Sequence, residues 1–130
     1  MDELIWTEDL DVGNKIVDFQ HKKIFTYLNT LIVASNDKNT DMSTLKKMLD
    51  SLIAYTVLHF DDEEQLLKSI GYQDLEQHKK IHRACAKQIL GFKQRLESGE
   101  DVLAELIAFV ESWIIVHIKQ EDMKALRSKD

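Results

Sequence analysis

The chain has no proline, a single cysteine and only four glycines. Without proline, no position loses its backbone donor or has φ locked, so long helices can run unbroken. With Cys85 alone, an internal disulfide is excluded, which fits a reducing compartment. No run reaches the roughly 18 apolar residues that suggest a membrane span, so membrane insertion is not expected. The N-terminal stretch MDELIWTEDLDVG is acidic and lacks the apolar core of a secretion signal. A cytoplasmic protein is the expectation. Clustered basic residues are also missing. Lys and Arg are scattered among acids and the net charge is -6, so nucleic acid is not an expected partner.

What remains is the composition of a soluble globular domain, 44% hydrophobic and 31% charged. The 130 residues are the size of one domain and can bury a core without staples. No segment alternates as a strand would. Apolar residues instead recur at spacings of three and four, in four segments. The first carries His21, Ile24, Leu28, Leu31 and Ser35, widened by Phe25 and Ile32. The second carries Leu45, Met48 or Leu49, Leu52, Thr56, His59, Glu63 and Leu66. The third carries Leu75, His78, His82, Cys85, Ile89, Phe92 and Leu96. The fourth carries Leu103, Leu106, Val110, Trp113 and His117.

Polar or glycine-bearing stretches separate them: residues 35–43, Ile70-Gly71-Tyr72 and Ser98-Gly99-Glu100-Asp101. The reading is an all-α, up-down-up-down antiparallel four-helix bundle with helices of about 18 to 27 residues. Residues 1–14 form an N-terminal arm without periodicity. Residues 1–130 read as one domain, with no repeat and no low-complexity tract.

All five histidines fall on these seams. One histidine on an apolar face is usually a core residue with a satisfied hydrogen bond. Five are hard to bury together, because each nitrogen needs a partner and grouped imidazoles repel once protonated. A shared metal relieves both problems. His21 lies early in its helix, His59 late, His78 and His82 early, and His117 late. Alternating helix direction therefore brings all five to one level of the bundle.

Glu63 sits one turn from His59 on the same face. Asp61, Asp62 and Glu64 read as solvated. In the fourth helix an ideal turn after His117 offers Glu121. Asp122 lies about 140° around and reaches the core only if the helix ends, tightens or bulges.

Five imidazoles and two carboxylates are too many ligands for one ion, and zinc is normally satisfied by four. They suit two six-coordinate ions sharing the carboxylates, and a His-rich pair with an open position suits iron and a small diatomic ligand. The Glu-x-x-His pattern of ferritin-like bundles is absent, since Asp18, Thr56, Leu75, Lys79 and Ile114 precede the histidines by three. HExxH is absent as well. Cys85, one turn beyond His82, reads as a buried and inert thiol.

Asp18-Phe19-Gln20-His21, His59-Phe60-Asp61-Asp62-Glu63-Glu64, Gly71-Tyr72 before His78 and His82, and Trp113 before His117-Ile118 and Asp122 occur in this order. Together they resemble the hemerythrin family, in particular its stand-alone bacterial members, along nearly the whole chain. The resemblance implies a single hemerythrin-like domain holding two iron ions (Fe2+/Fe3+) with an oxo or hydroxo bridge. His78, His82 and His117 would hold one iron. His21 and His59 would hold the other, which keeps an open position. Glu63 and Asp122 would bridge them, the family's His-x4-Asp spacing selecting Asp122 over Glu121.

Ile24, Phe60 and Trp113 match positions that line the family's oxygen pocket. Where many members have tyrosine three residues after the bridging aspartate, this chain has Ala125. The implied function is reversible dioxygen binding for storage, delivery or sensing, rather than catalysis. Storage or delivery is expected over sensing, since no segment outside the bundle is left to transmit a signal. The alternative is a di-iron peroxidase or a nitric-oxide-handling enzyme using the same centre. The expected partners are dioxygen and an oxygen-consuming enzyme, and the expected state is a monomer.

Overall fold

Helix α1 spans Lys15–Asn36, α2 Met42–Ser69, α3 Leu75–Glu97 and α4 Leu103–His117 in a computed structural model that describes residues 1–126. A π turn, Ile118–Asp122, and a last short helix, α5 (Met123–Leu126), continue the line of α4. No strand occurs among the described residues. Each helix packs on the next and α4 closes back on α1, giving an antiparallel four-helix bundle. Helix α2 is longer than expected, at 28 residues, and α4 is shorter, at 15, because the π turn cuts it.

Local chemistry sets the boundaries. Asn14 caps α1 by accepting from the Ile16 and Val17 amides, and Asp41 caps α2 by accepting from Thr44 N. At the end of α2, Gly71 has φ +70°. Its N–H reaches Lys68 O and the Tyr72 N–H reaches Leu67 O, which satisfies two terminal carbonyls. The same pattern at Gly99 ends α3: its N–H bonds Leu96 O, and the Glu100 N–H bonds Arg95 O.

The core follows the seams, with shifts in α2 and in α4, where Ile114 is buried and Trp113 only partly so. Leu28, Leu31, Ile32, Leu49, Leu52, Leu106 and Ile107 are buried, and so is Cys85. In α2, Leu67 is fully buried and Leu66 only partly, because the seam steps by four from Glu63 rather than by three. Leu106 has no exposed surface, so Leu106→Ala is expected to cost about 2 to 5 kcal/mol by urea unfolding.

The N-terminal arm is built into the bundle despite lacking periodicity. Leu10 and Val12 join the core. The Asn29 amide clamps Leu4, donating to its carbonyl (2.9 Å) and accepting from its N–H (2.7 Å). Asp18 accepts from Val12 N at 2.8 Å and Gly13 N at 3.3 Å, in a turn where Gly13 has φ +88°. The Trp6 ring meets Phe25 edge-on at 5.1 Å. Tertiary contacts, invisible to a periodicity argument, hold the arm.

Candidate metal centre

Four helices bring five imidazoles to one level of the core. His21 enters from α1, His59 from α2, His78 and His82 from α3, and His117 from the last residue of α4; each is at most 4% exposed. Glu63 and Asp122 lie among them, buried. The π turn decides between the two carboxylates of the fourth helix. The Met123 N–H bonds Ile118 O, five residues back instead of four, so the turn holds one extra residue. That extra residue rotates Asp122 onto the face of His117 and leaves Glu121 partly exposed.

Each carboxylate faces two sets of histidines. Glu63 Oε1 lies 2.6 Å from His78 Nε2 and 3.2 Å from His82 Nε2. Its Oε2 lies 3.1 Å from His59 Nε2 and 3.6 Å from His21 Nε2. Asp122 Oδ1 lies 3.0 Å from His117 Nε2 and 3.2 Å from His78 Nε2, while Oδ2 is 3.0 Å from His21 Nε2. Two groups of ligand atoms result. Glu63, His78, His82, His117 and Asp122 form one, and His21, His59, Glu63 and Asp122 the other, each with its atoms within 4.8 Å of one another.

These donors suit cations. His21 Nε2, Glu63 Oε2 and both Asp122 oxygens are buried without a hydrogen-bond partner among the described residues. Such groups are costly to bury unsatisfied. His82 Nδ1 donates to Glu64 Oε2 at 2.8 Å, which leaves its Nε2 lone pair facing His117 Nε2 at 3.1 Å. Two imidazole nitrogens placed in this way want a positive ion between them.

The electrostatics agree. Burial disfavours charge on His21, but Asp122 and Glu63 outweigh it and raise its pKa to about 9. Burial likewise opposes charge on His78, and the same two carboxylates raise it to about 9. His59 is pushed down, chiefly by burial. Burial would raise Glu63, yet the four imidazoles around it hold its carboxyl well below the usual range. Burial and the like charge of Glu63 oppose ionisation of Asp122, and His117, His21 and His78 still bring it to about 2. The pocket is thus tuned to hold negative carboxylates against positive charge.

Outer contacts orient the imidazoles, and sequence reasoning missed them. Glu64 is not solvated as expected, since it accepts the His82 Nδ1 proton. The His59 Nδ1–H donates to Gln20 Oε1 at 2.7 Å, and Gln20 Nε2 donates to Asp62 Oδ2 at 2.8 Å. Asp62 is exposed but bonded. Signals for both contacts existed. Gln20 extends the Ile24–Leu28 stripe by one turn as a polar residue, and Glu64 stands one turn from Phe60, which stacks on His82 at 4.0 Å. Trp113 stacks on His117 at 4.3 Å and meets Phe60 at 5.5 Å. Ile24 is fully buried in the core. Cys85 is buried, and burial pushes its thiol up to about 12, consistent with inertness.

His82→Ala is expected to lose much of the bound metal, because it removes a ligand atom and strands Glu64. Lys46→Ala, which breaks only an exposed 3.7 Å pair with Glu97, is expected to lose none. Metal analysis of the two variants checks this.

The fold and site together define a helical-bundle domain with a cation-binding core of histidines and shared carboxylates. Residues 12–127 match the hemerythrin HHE cation binding domain family, and the chain belongs to the hemerythrin family. It is 34% identical to a bacteriohemerythrin of Pseudomonas aeruginosa over 94% of this chain and 78% of that protein. It is 31% identical to a myohemerythrin of Theromyzon tessulatum, over 92% of this chain and 88% of that one. A crystal structure of wild-type hemerythrin superposes with a TM-score of 0.88 at 29% identity, covering 97% of each chain. No described helix is long and apolar enough to cross a membrane.

Proposed function

We propose that the chain binds dioxygen reversibly at a pair of iron ions. His78, His82 and His117 would hold one ion, His21 and His59 the other, and Glu63 and Asp122 would serve both. The observation that carries this reading is the division of each carboxylate, one oxygen toward each histidine set. Three imidazoles plus two carboxylate oxygens would nearly saturate one six-coordinate ion. Two imidazoles plus two oxygens would leave the other with more room, where a diatomic ligand would fit. The iron pair, when bound, supplies the two electrons that dioxygen accepts.

The chain's own residues supply the rest. Glu64 and Gln20 fix the imidazoles of His82 and His59 with Nε2 turned inward. Phe60 and Trp113 shield His82 and His117, and Ile24 fills the core beneath, so water is held away from the ligands. Of the oxygen-binding roles, storage or delivery fits a bundle of this kind, with an oxygen-consuming enzyme as the receiving partner.

The test combines metal content with an optical spectrum. About two irons per chain are expected, given the two ligand groups. The anaerobically reduced protein should gain a charge-transfer band with oxygen and lose it on deoxygenation. Irreversible oxidation without that band would refute the reading. Turnover of peroxide or nitric oxide above the rate of free iron would move the assignment to an enzyme.

A further inference from the structure

Aromatic rings close most of the shell around the imidazoles. Phe60 covers His82, Trp113 covers His117, Tyr72 stands edge-on to His78 at 6.3 Å, and Trp6 lies 6.4 Å from His21. Polar groups reach the surface at two places only among these contacts. One is Glu64 behind His82, and the other is the Gln20–Asp62 pair behind His59.

The two places differ in charge. Between α1 and α2 a groove of about 270 Å³ is lined by Asn14, Gln20, Asp62, Gln65 and Leu66, and Glu63 forms part of its wall. No basic side chain lines it. The Glu63 carboxylate itself lies behind that wall, with no exposed side-chain surface and an unpartnered Oε2. On the other side, between α2 and α3, a groove of about 170 Å³ reaches His82 and Glu64 and is lined also by Asp61 and Arg83. There the guanidinium offsets one of the two carboxylates, whereas no basic side chain offsets Asp62 in the α1–α2 groove. A neighbouring cavity of about 60 Å³ has an entirely apolar wall that includes Phe60, Ile89 and Leu90, and gives a cation no ligand.

The geometry points to the α1–α2 groove as the path by which a divalent cation reaches the buried ligands. Asp62 meets the cation first, and the Gln20–Asp62 hydrogen bond is the latch it displaces. This rests on the metal-holding reading above. A hydrated cation drawn to the Asp62 carboxylate competes for Oδ2 with Gln20 Nε2, 2.8 Å away. Behind Asp62, Gln20 bridges to His59, and the Glu63 Oε2 and His59 Nε2 that would receive the ion lie 3.1 Å apart. As the ion moves inward to those atoms, Asp62 is released and the latch closes again. Gln20 Oε1 keeps hold of the His59 Nδ1–H throughout, so the receiving imidazole stays aimed.

The experiment follows cobalt(II) uptake by the metal-depleted chain in a stopped-flow spectrophotometer. Circular dichroism first confirms that each variant is folded. Asp62→Asn keeps an acceptor for Gln20 but loses the charge. Its uptake is expected to slow on the order of tenfold at low salt. The difference should narrow as the screening length falls from about 30 Å at 0.01 M salt to about 3 Å at 1 M. A purely structural role for Asp62 would show no such salt dependence. Asp61→Asn, one residue away on the α2–α3 side, should take up the ion at the rate of the unaltered chain. Equal rates for all three proteins, equal slowing by both variants, or faster uptake by Arg83→Gln would each overturn the path. Failure of the unaltered chain to take up any cobalt(II) would instead overturn the metal-holding reading itself.

Discussion

Asparagine in place of Asp122 is expected to strip metal from both positions at once. His82 belongs to one group of ligand atoms only, whereas Asp122 belongs to both. Its two oxygens stand 3.0 to 3.2 Å from His21, His78 and His117. An amide offers one acceptor and no charge, so neither ion keeps its full set of donors. Metal analysis should show a fall from about two ions per chain to well below one. The metal-free variant should also be less stable at neutral pH. His21 and His78 are raised to about 9 by this carboxylate and Glu63, so they are charged there and lose a buried partner. Breaking a buried pair in this way costs about 3 to 5 kcal/mol. A variant that retains two ions would remove Asp122 from the ligand set and return Glu121 to consideration.

Metal loading at neutral pH should release about two protons per chain. His21 and His78 have folded values near 9 against an ordinary 6.5, and both must become neutral to bind a cation through Nε2. His59 is already held neutral by burial and adds none. Calorimetric titration in two buffers of different ionisation enthalpy measures the release, and identical heats in both would exclude it.

The same shifts set the stability of the metal-free chain. For the two raised histidines, the stabilisation is complete below 6.5 and disappears as pH climbs through about 9. For Glu63 and Asp122, whose values are depressed, stabilisation is complete above their ordinary values of 4.5 and 3.8 and is lost in stronger acid. The metal-free chain should therefore melt highest between about pH 4.5 and 6.5 and weaken toward pH 9. The loaded chain should lack the alkaline decline, because its imidazoles are neutral throughout.

Much of this arrangement is readable from spacing. A seam position for every histidine, with the early-late alternation along successive helices, is enough to place all five at one level. Glu63 follows from its four-residue distance to His59. Three features are not readable in this way, for distinct reasons. Asp122 is off the seam by ideal helix geometry, and only a backbone change, the five-residue turn after His117, brings it inward. Glu64 and Gln20 act through side-chain reach to a neighbouring helix, which period arguments do not describe. The N-terminal arm is ordered by single contacts, through Asn29 and Asp18, and has no repeat to detect.

The π turn also governs the residues beyond it. In an uninterrupted α-helix the inward positions after His117 would be those of Glu121 and Lys124. The inserted residue resets the angular phase of the last described turn. Ala125 takes the inward place with no exposed surface, and Lys124 faces outward, 3.3 Å from Asp74 at the start of α3. One added residue therefore does two jobs: it delivers an acid to the interior and keeps an ammonium group from following it. Winding the same residues as a regular α-helix, with none removed, would swap those assignments and press a lysine against the cluster of buried imidazoles and carboxylates.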